Sequence, residues 1–228
     1  MEFLILAGGL GTRLRNVISD IAKPMAQVNG KPFLEYLFNW ISGFPVTRII
    51  ISAGYKADTI SNYFGNNYKG IPLDYVIENE PLGTGGAIAY SLKNATDNDV
   101  LVLNADTWFP VNIDKFFQFH SRSGAKISIA LKEMNEFDRY GAVDIQNEVI
   151  TGFREKKYCS KGFINGGIYI VNRSYLFSLG LPVKFSFEKE VLAKCAGTGL
   201  LKGMPFDNEF IDIGIPEDLY RAGTVMKL

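Results

Sequence analysis

Four short apolar runs, at residues 3–7, 48–53, 73–77 and 100–103, alternate with stretches whose apolar residues keep helical spacing, at 32–41, 57–64 and 85–93. A strand with one wet face alternates polar and apolar residues, whereas a strand apolar on both faces must be covered on both. Strands of the second kind alternating with helices predict a mostly parallel sheet built from right-handed crossovers. In such sheets ligands collect beyond the carboxyl ends of the strands.

Past a further helix at 112–120 the texture changes. Strand patterns at 126–132, 142–145, 149–154 and 163–171 follow closely enough to pair antiparallel, and helices return at 173–178, 185–195 and 216–225. The last of these opens with Pro216 in its first turn, followed by Glu217 and Asp218. The whole reads as α/β, a Rossmann-like three-layer sandwich with a mixed, mostly parallel central sheet and a strand-rich second half. With 228 residues, 47% of them hydrophobic, the chain can bury one core as a single domain over 1–228. No linker rich in Pro, Ser or Gly interrupts it, and no hexapeptide repeat follows the last helix.

Charge narrows the partners. Lys plus Arg and Asp plus Glu balance at 24 each, so no overall field draws the chain to nucleic acid or to an anionic membrane. Cys159 and Cys195 form neither a disulfide framework nor a zinc pattern, which reads as free thiols in a reducing compartment. The N-terminus starts acidic and its apolar run is too short for a signal peptide or a membrane span, so the cytoplasm is expected. His120, the only histidine, lies in a polar helical stretch and reads as a surface residue, while Phe116, Phe117 and Phe119 read as core.

The richest stretch follows the first strand: Leu6-Ala7-Gly8-Gly9-Leu10-Gly11-Thr12-Arg13-Leu14, with Lys23-Pro24-Met25 further along. Three glycines within four positions remove Cβ atoms where backbone can approach a base or a triphosphate, and leave amides free to donate. Arg13 adds a planar fork suited to phosphate oxygens. Two familiar phosphate loops are excluded: Leu14 stands where a dinucleotide fingerprint needs a small residue, and no Lys-Ser or Lys-Thr follows the last glycine. Pro24 disfavours helical geometry at Lys23 and pushes it toward an extended conformation.

This loop, with Lys23-Pro24-Met25, resembles the signature of the sugar-1-phosphate nucleotidyltransferase family. The likeness continues through Glu78-Asn79-Glu80-Pro81-Leu82-Gly83-Thr84-Gly85, Asn104-Ala105-Asp106, Phe153-Arg154-Glu155-Lys156, Asn165-Gly166-Gly167-Ile168-Tyr169 and Asp212-Ile213-Gly214-Ile215-Pro216-Glu217-Asp218, covering nearly the whole chain. Within that family it is most similar to the D-glycero-α-D-manno-heptose 1-phosphate guanylyltransferases, above all at Phe137-Asp138-Arg139-Tyr140-Gly141 and in the Asn165 block. Arg15-Asn16-Val17 departs from the family, whose members often carry Pro-Leu soon after the arginine.

The resemblance implies in-line attack of a sugar phosphate oxygen on the α-phosphorus of a nucleoside triphosphate, with loss of pyrophosphate. A phosphate monoester is already ionised near neutral pH, so the reaction needs positioning and charge neutralisation rather than a general base. It implies a nucleotide-binding half over 1–110 and a sugar-binding half over 111–228, two small-molecule substrates, and admits a homodimer. Arg13 is expected on the triphosphate and Lys23 near the reacting phosphates. Asp106 and Asp212 are expected to hold Mg²⁺, whose hard character suits carboxylate oxygens. Leu6, Ala7, Gly8, Gly9, Gly11 and Thr12 would contact the nucleotide, with Glu78, Gly83 and Thr84 closing the other side of the base. Glu78 either accepts guanine N1–H and the 2-amino group, favouring GTP over uracil or thymine nucleotides, or caps and salt-bridges locally. Tyr140, Gly141, Glu155, Lys156, Asn165 and Gly167 occupy the sugar-phosphate positions, with Arg139 and Lys132 as further candidates. The product would be a nucleotide sugar for surface glycans, in capsule or lipopolysaccharide. A glycosyltransferase on a similar sheet would carry Asp-x-Asp, but Asp106-Thr107-Trp108 lacks the second carboxylate.

Overall fold

The computed structural model describes residues 1–9 and 21–226. The first half contributes β1 (Glu2–Leu6), the small hairpin β2 (Gln27–Val28) and β3 (Lys31–Pro32), β4 (Arg48–Ala53), β5 (Asn67–Tyr68), β6 (Ile71–Ile77), β7 (Asp99–Asn104) and β8 (Thr107–Trp108). The second contributes β9 (Ile127–Phe137), β10 (Ala142–Gln146), β11 (Val149–Phe153), β12 (Cys159–Asn172), β13 (Leu201–Phe206) and β14 (Ile211–Asp212). Helices α1 (Phe33–Ile41), α2 (Ala57–Phe64), α3 (Gly83–Leu92), α4 (Ile113–Ser123), α5 (Arg173–Ser178), α6 (Ala193–Cys195) and α7 (Pro216–Val225) are interleaved, and a π-helical turn over Glu188–Leu192 leads into α6.

Ten strands form one mixed sheet in the order β10-β11-β13-β9-β12-β7-β1-β4-β6-β5. Pairing is parallel through β7-β1-β4-β6 and between β9 and β13, and antiparallel elsewhere. Successive side chains of a strand point to opposite faces, and both faces here are covered. Phe3, Ile5, Ile49, Ile51, Leu101 and Leu103 share one core with Phe33 of α1, Ile60 of α2 and Phe116 of α4. Their neighbours Leu4, Ile50, Val100 and Val102 share the other with Ile88 and Leu92 of α3 and Val191 of the π turn. Those two cores make the expected three-layer sandwich.

Several local expectations change. Strand β13 escaped the pattern because Gly203 and Pro205 interrupt it. A Cβ at Gly203 would stand 2.6 Å from Leu131 Cδ1, so the glycine is there for close packing. Pro205 lies past the single β11–β13 pair, Val149–Lys202, where an N–H is dispensable. The helix expected over 185–195 forms over 187–195, its first part wound as the π turn that runs into α6. Lys23 is not extended: it opens a single 3₁₀ turn, Lys23–Met25, and the extended residue is Ala22. A proline in a first turn lacks only an N–H that has no helical partner there. No helix among the described residues is long and apolar enough to cross a membrane.

His120 is not a surface residue. It is 3% exposed, with Nδ1 2.8 Å from Ser128 Oγ and Nε2 3.5 Å from Asp99 Oδ1. It sits on the inward face of α4 behind Phe116 and Phe119, which the polar residues between them disguise in sequence. Burial lowers its pKa below 6.5; Asp99 opposes the shift and Lys126 reinforces it. The unfolded chain therefore binds the proton more readily than the folded one, and this site adds stability above pH 6.5 that is lost as pH falls through the folded pKa. Because the chain has one histidine, its imidazole NMR titration is unambiguous and should have a midpoint below 6.5. A midpoint at or above 6.5 would contradict the burial.

Candidate active site

Strands β1, β4, β6 and β7 end side by side around a cavity of about 360 Å³. Leu6 ends β1 and Gly8 and Gly9 follow it; Ser52 comes from β4, Glu78 follows β6, and Asn104 and Asp106 stand at the end of β7. Pro81, Gly83, Thr84 and Ala87 bring the start of α3 to the same space. The chain steps outward from β1 to β4 and β6 and then returns to the other side of β1 with β7, the reversal at which a parallel sheet leaves a crevice. Ala7 does not line the cavity. It is buried, and its N–H donates to Ser52 O at 2.7 Å, fixing the strand end from which Gly8 departs. Gly11, Thr12 and Arg13 lie outside the described residues, as do Arg15, Asn16 and Val17.

Glu78 lies against the glycines. A Cβ on Gly8 would approach Glu78 Oε1 to 3.0 Å, so the bare Cα is what lets carboxylate and loop meet. Ser52 Oγ donates to Oε1 at 3.0 Å and the Leu82 amide to Oε2 at 3.3 Å. The second of these is the local cap that competes with base recognition in the sequence. Since each oxygen has two lone pairs, the cap leaves acceptor capacity for a ligand.

The charged cluster assembles from three distant segments. Lys23 Nζ lies 2.6 Å from Asp106 Oδ2 and 3.7 Å from Asp212 Oδ1. Asp212 arrives through a two-stranded ladder in which β14 runs antiparallel to β8, with Asp212 opposite Thr107 and the Ile213 amide donating to Asp106 O at 3.0 Å. Trp108, on the same ladder, packs edge-on against Trp40 at 6.1 Å. Burial and then the neighbouring Asp106 carboxylate push the Asp212 carboxyl above its ordinary range, while Lys23 and Arg139 pull it back. Two carboxylates held together against their repulsion are an oxygen donor set suited to a hard divalent cation. No group of three or more His, Cys, Asp or Glu that could hold a metal occurs among the described residues, so further ligands would be phosphate oxygens or water.

The sugar-phosphate candidates fall into two groups. Asn165 and Gly167 sit at the irregularity of β12: Asn165 Oδ1 accepts from the Gly167 amide at 3.0 Å and its Nδ2 donates to Tyr169 OH at 2.9 Å. Gly167 has φ +71°, and a Cβ there would stand 2.8 Å from Nδ2 of Asn104, a cavity residue. Tyr140 lines a second cavity, of about 170 Å³, with Arg139 and Asp212. Burial, reinforced by Asp212, pushes its phenol up to about 12. Gly141 must lack a side chain because Arg154 O would lie 2.6 Å from its Cβ, and this approach sets where the strand ahead of Glu155 runs. Glu155 and Lys156 are exposed in the connection from β11 to β12. Arg139 pairs with Asp218 at 2.7 Å and Lys132 with Asp207 at 3.4 Å, so both candidates are already engaged.

What sequence reading missed is the segment over the start of α3. Phe185 O accepts from the Gly85 and Gly86 amides at 3.1 and 3.2 Å, capping the helix that no side chain caps. Cβ atoms at Gly83, Gly85 and Gly86 would collide with Phe185 and Val183 at 2.1 to 2.5 Å. Thr84 Oγ1 accepts from the Phe187 amide at 2.9 Å and donates to Glu188 Oε2 at 2.6 Å. Gly83 and Thr84 therefore line the cavity while serving a packing contact, and the glycine run was the only hint of it. Ser52 and Ala87 were likewise unread, since single polar or small residues in a strand or helix carry no pattern, and Asn104 was noted only as part of the Asn104-Ala105-Asp106 block, without a role.

Glycines after β1, a lysine between Asp106 past β7 and Asp212 of β14, and a cavity beside them agree with the comparison of the whole sequence, in which the nucleotidyl transferase pattern matches residues 2–227. The chain belongs to the nucleotidyl transferase family. This nucleotidyltransferase is 46% identical over 222 residues to the D-glycero-alpha-D-manno-heptose 1-phosphate guanylyltransferase of Aneurinibacillus thermoaerophilus, covering 97% of this chain and 96% of that one. It is 43% identical to the protein of the same description from Campylobacter jejuni, with 96% and 97% covered. Among solved structures it resembles HddC from Yersinia pseudotuberculosis complexed with GMP-PN, with TM-score 0.88, 40% identity and 99% of both chains covered.

Proposed function

We propose that this enzyme transfers the guanylyl group of GTP to D-glycero-α-D-manno-heptose 1-phosphate in the cytoplasm, releasing pyrophosphate and forming a GDP-sugar for surface glycans. The observation that carries this reading is the convergence of Lys23, Asp106 and Asp212 beside a cavity that also holds Glu78. Full-length likeness to heptose 1-phosphate guanylyltransferases supports the choice of substrates.

In this reading the base lies on Gly8 and Gly9, with Glu78 accepting N1–H and the 2-amino group. Lys23, one ammonium between two carboxylates, turns toward the reacting phosphates, and Arg13 grips the triphosphate. Asp106 and Asp212 hold Mg²⁺, which when bound neutralises charge on the phosphates. The sugar phosphate, ionised at neutral pH, needs no proton removed, so these residues bind, orient and offset repulsion. Asn165, Gly167, Tyr140, Gly141, Glu155 and Lys156 receive the sugar and its phosphate.

Pyrophosphate release measured with GTP, ATP, UTP and dTTP against heptose, mannose, glucose and N-acetylglucosamine 1-phosphates tests both substrates. GTP with the heptose phosphate is expected to win, and a preference for UTP or dTTP would overturn the guanine reading. Glu78→Gln, which replaces one acceptor oxygen by a donor, should cut kcat/KM for GTP by about tenfold to hundredfold.

A further inference from the structure

We infer that Ser52 sets base discrimination at this site, by holding the Glu78 carboxylate in the plane from which both oxygens reach guanine. The inference rests on the reading of Glu78 proposed above. A carboxylate can accept the parallel N1–H and 2-amino N–H together only if its two oxygens lie in the plane of the base. The last torsion of a glutamate is broad, so an unsupported Glu78 would sample many orientations.

Among the described residues two donors restrict it, one on each oxygen. Ser52 Oγ reaches Oε1 at 3.0 Å and the Leu82 amide reaches Oε2 at 3.3 Å. Each oxygen keeps a free lone pair, and Oε1 is set against the bare Cα of Gly8. Ser52 is fully buried and lines the cavity at the end of a strand that otherwise reads Ile49-Ile50-Ile51-Ala53 inside. Burial alone does not dictate such a partner, because the buried Ser91 hydroxyl has none among the described residues. Through its carbonyl, Ser52 also accepts the Ala7 amide at 2.7 Å, so one residue fixes both the carboxylate and the loop on which the base rests. The hydroxyl touches the carboxylate and not the base, which makes Ser52 a positioning residue.

The test compares GTP with inosine triphosphate, which keeps N1–H and lacks the 2-amino group. Ser52→Ala frees the carboxylate to turn about the Leu82 amide, so one pairing survives and the second is lost. Its kcat/KM for GTP should fall about tenfold, through KM, while the value for inosine triphosphate stays near wild type. Turnover at saturating GTP and KM for the sugar 1-phosphate should not change. In a Glu78→Gln background, adding S52A should narrow the GTP-to-inosine ratio no further. Calorimetric binding of the two nucleotides gives the same ratio without turnover. If E78Q narrows the ratio and S52A leaves it at the wild-type value, the inference on Ser52 is overturned and the guanine reading stands. Equal losses for both nucleotides in S52A, or a fall in turnover, would also overturn it by reducing Ser52 to a structural part. If E78Q itself leaves the ratio intact, the guanine reading falls, and Ser52 with it.

Discussion

Asp106→Ala is expected to lower kcat/KM by about a thousandfold or more. Asp106 is the carboxylate that Lys23 touches most closely, at 2.6 Å, and it shares the lysine with Asp212. In the proposed function, removing it would take one oxygen ligand from the Mg²⁺ that Asp106 and Asp212 would hold, and it would let Lys23 pair with Asp212 alone. One substitution would then disturb both the lysine and the proposed cation, while the ladder that carries the main chain, Ile213 N–H to Asp106 O, does not need the side chain. The folded structure should therefore persist, which circular dichroism and the melting temperature can verify alongside pyrophosphate release. Turnover by a folded D106A enzyme at the wild-type rate would place the chemistry elsewhere.

Glu2→Ala should cost about 2–4 kcal/mol of stability, the largest effect expected away from the site. Glu2 is 3% exposed and gathers donors from two directions. The amides of Thr96 and Asp97 reach Oε2 at 2.6 and 2.7 Å, Thr96 Oγ1 reaches Oε1 at 3.0 Å, and Arg48 donates through Nε at 3.1 Å and through Nη2. The carboxylate thus ties the first residues of β1 to the neighbouring strand β4 and to the turn leading into β7. Its loss takes the acceptor from the Thr96 and Asp97 amides and one partner from the half-buried Arg48, which keeps Asp74 Oδ2 at 2.8 Å and Asn94 O at 2.7 Å. Burial pushes the Glu2 carboxyl up, but the Asp97 amide, Arg48 and Thr96 together hold it below 4.5. The wild type should therefore keep this contribution above pH 4.5 and lose it as pH falls through the folded pKa, and Glu2→Ala should show a shallower acid branch. For a chain of this length the expected loss corresponds to a fall in Tm of about 10 °C, read by calorimetry. A variant melting within a degree of wild type would sink the argument.

The order of the first strands and helices was legible because its signal is local. Apolar runs such as Ile49-Ile50-Ile51 specify a strand covered on both sides whatever lies next to it, and α5 and α7 fall at the expected bounds. The glycine loop, Lys23, Glu78, Asp106 and Asp212 were singled out by residue type and by the resemblance to the family, Glu78 and Asp106 standing just past β6 and β7. Pairing between segments remote in sequence leaves no periodic trace. That β14 lies on β8, so that Asp212 meets Asp106 under one lysine, was settled only when the chain closed. The same holds for Phe185 as the cap of α3, for Ser52 under Glu78, and for His120, whose polar helix turned its ring inward onto Ser128. Sequence by itself determined the longer apolar strands, most helices and which charges are present; tertiary structure decided the short ladders, β13 and which side chains meet, because pairing, burial and electrostatics depend on neighbours in space.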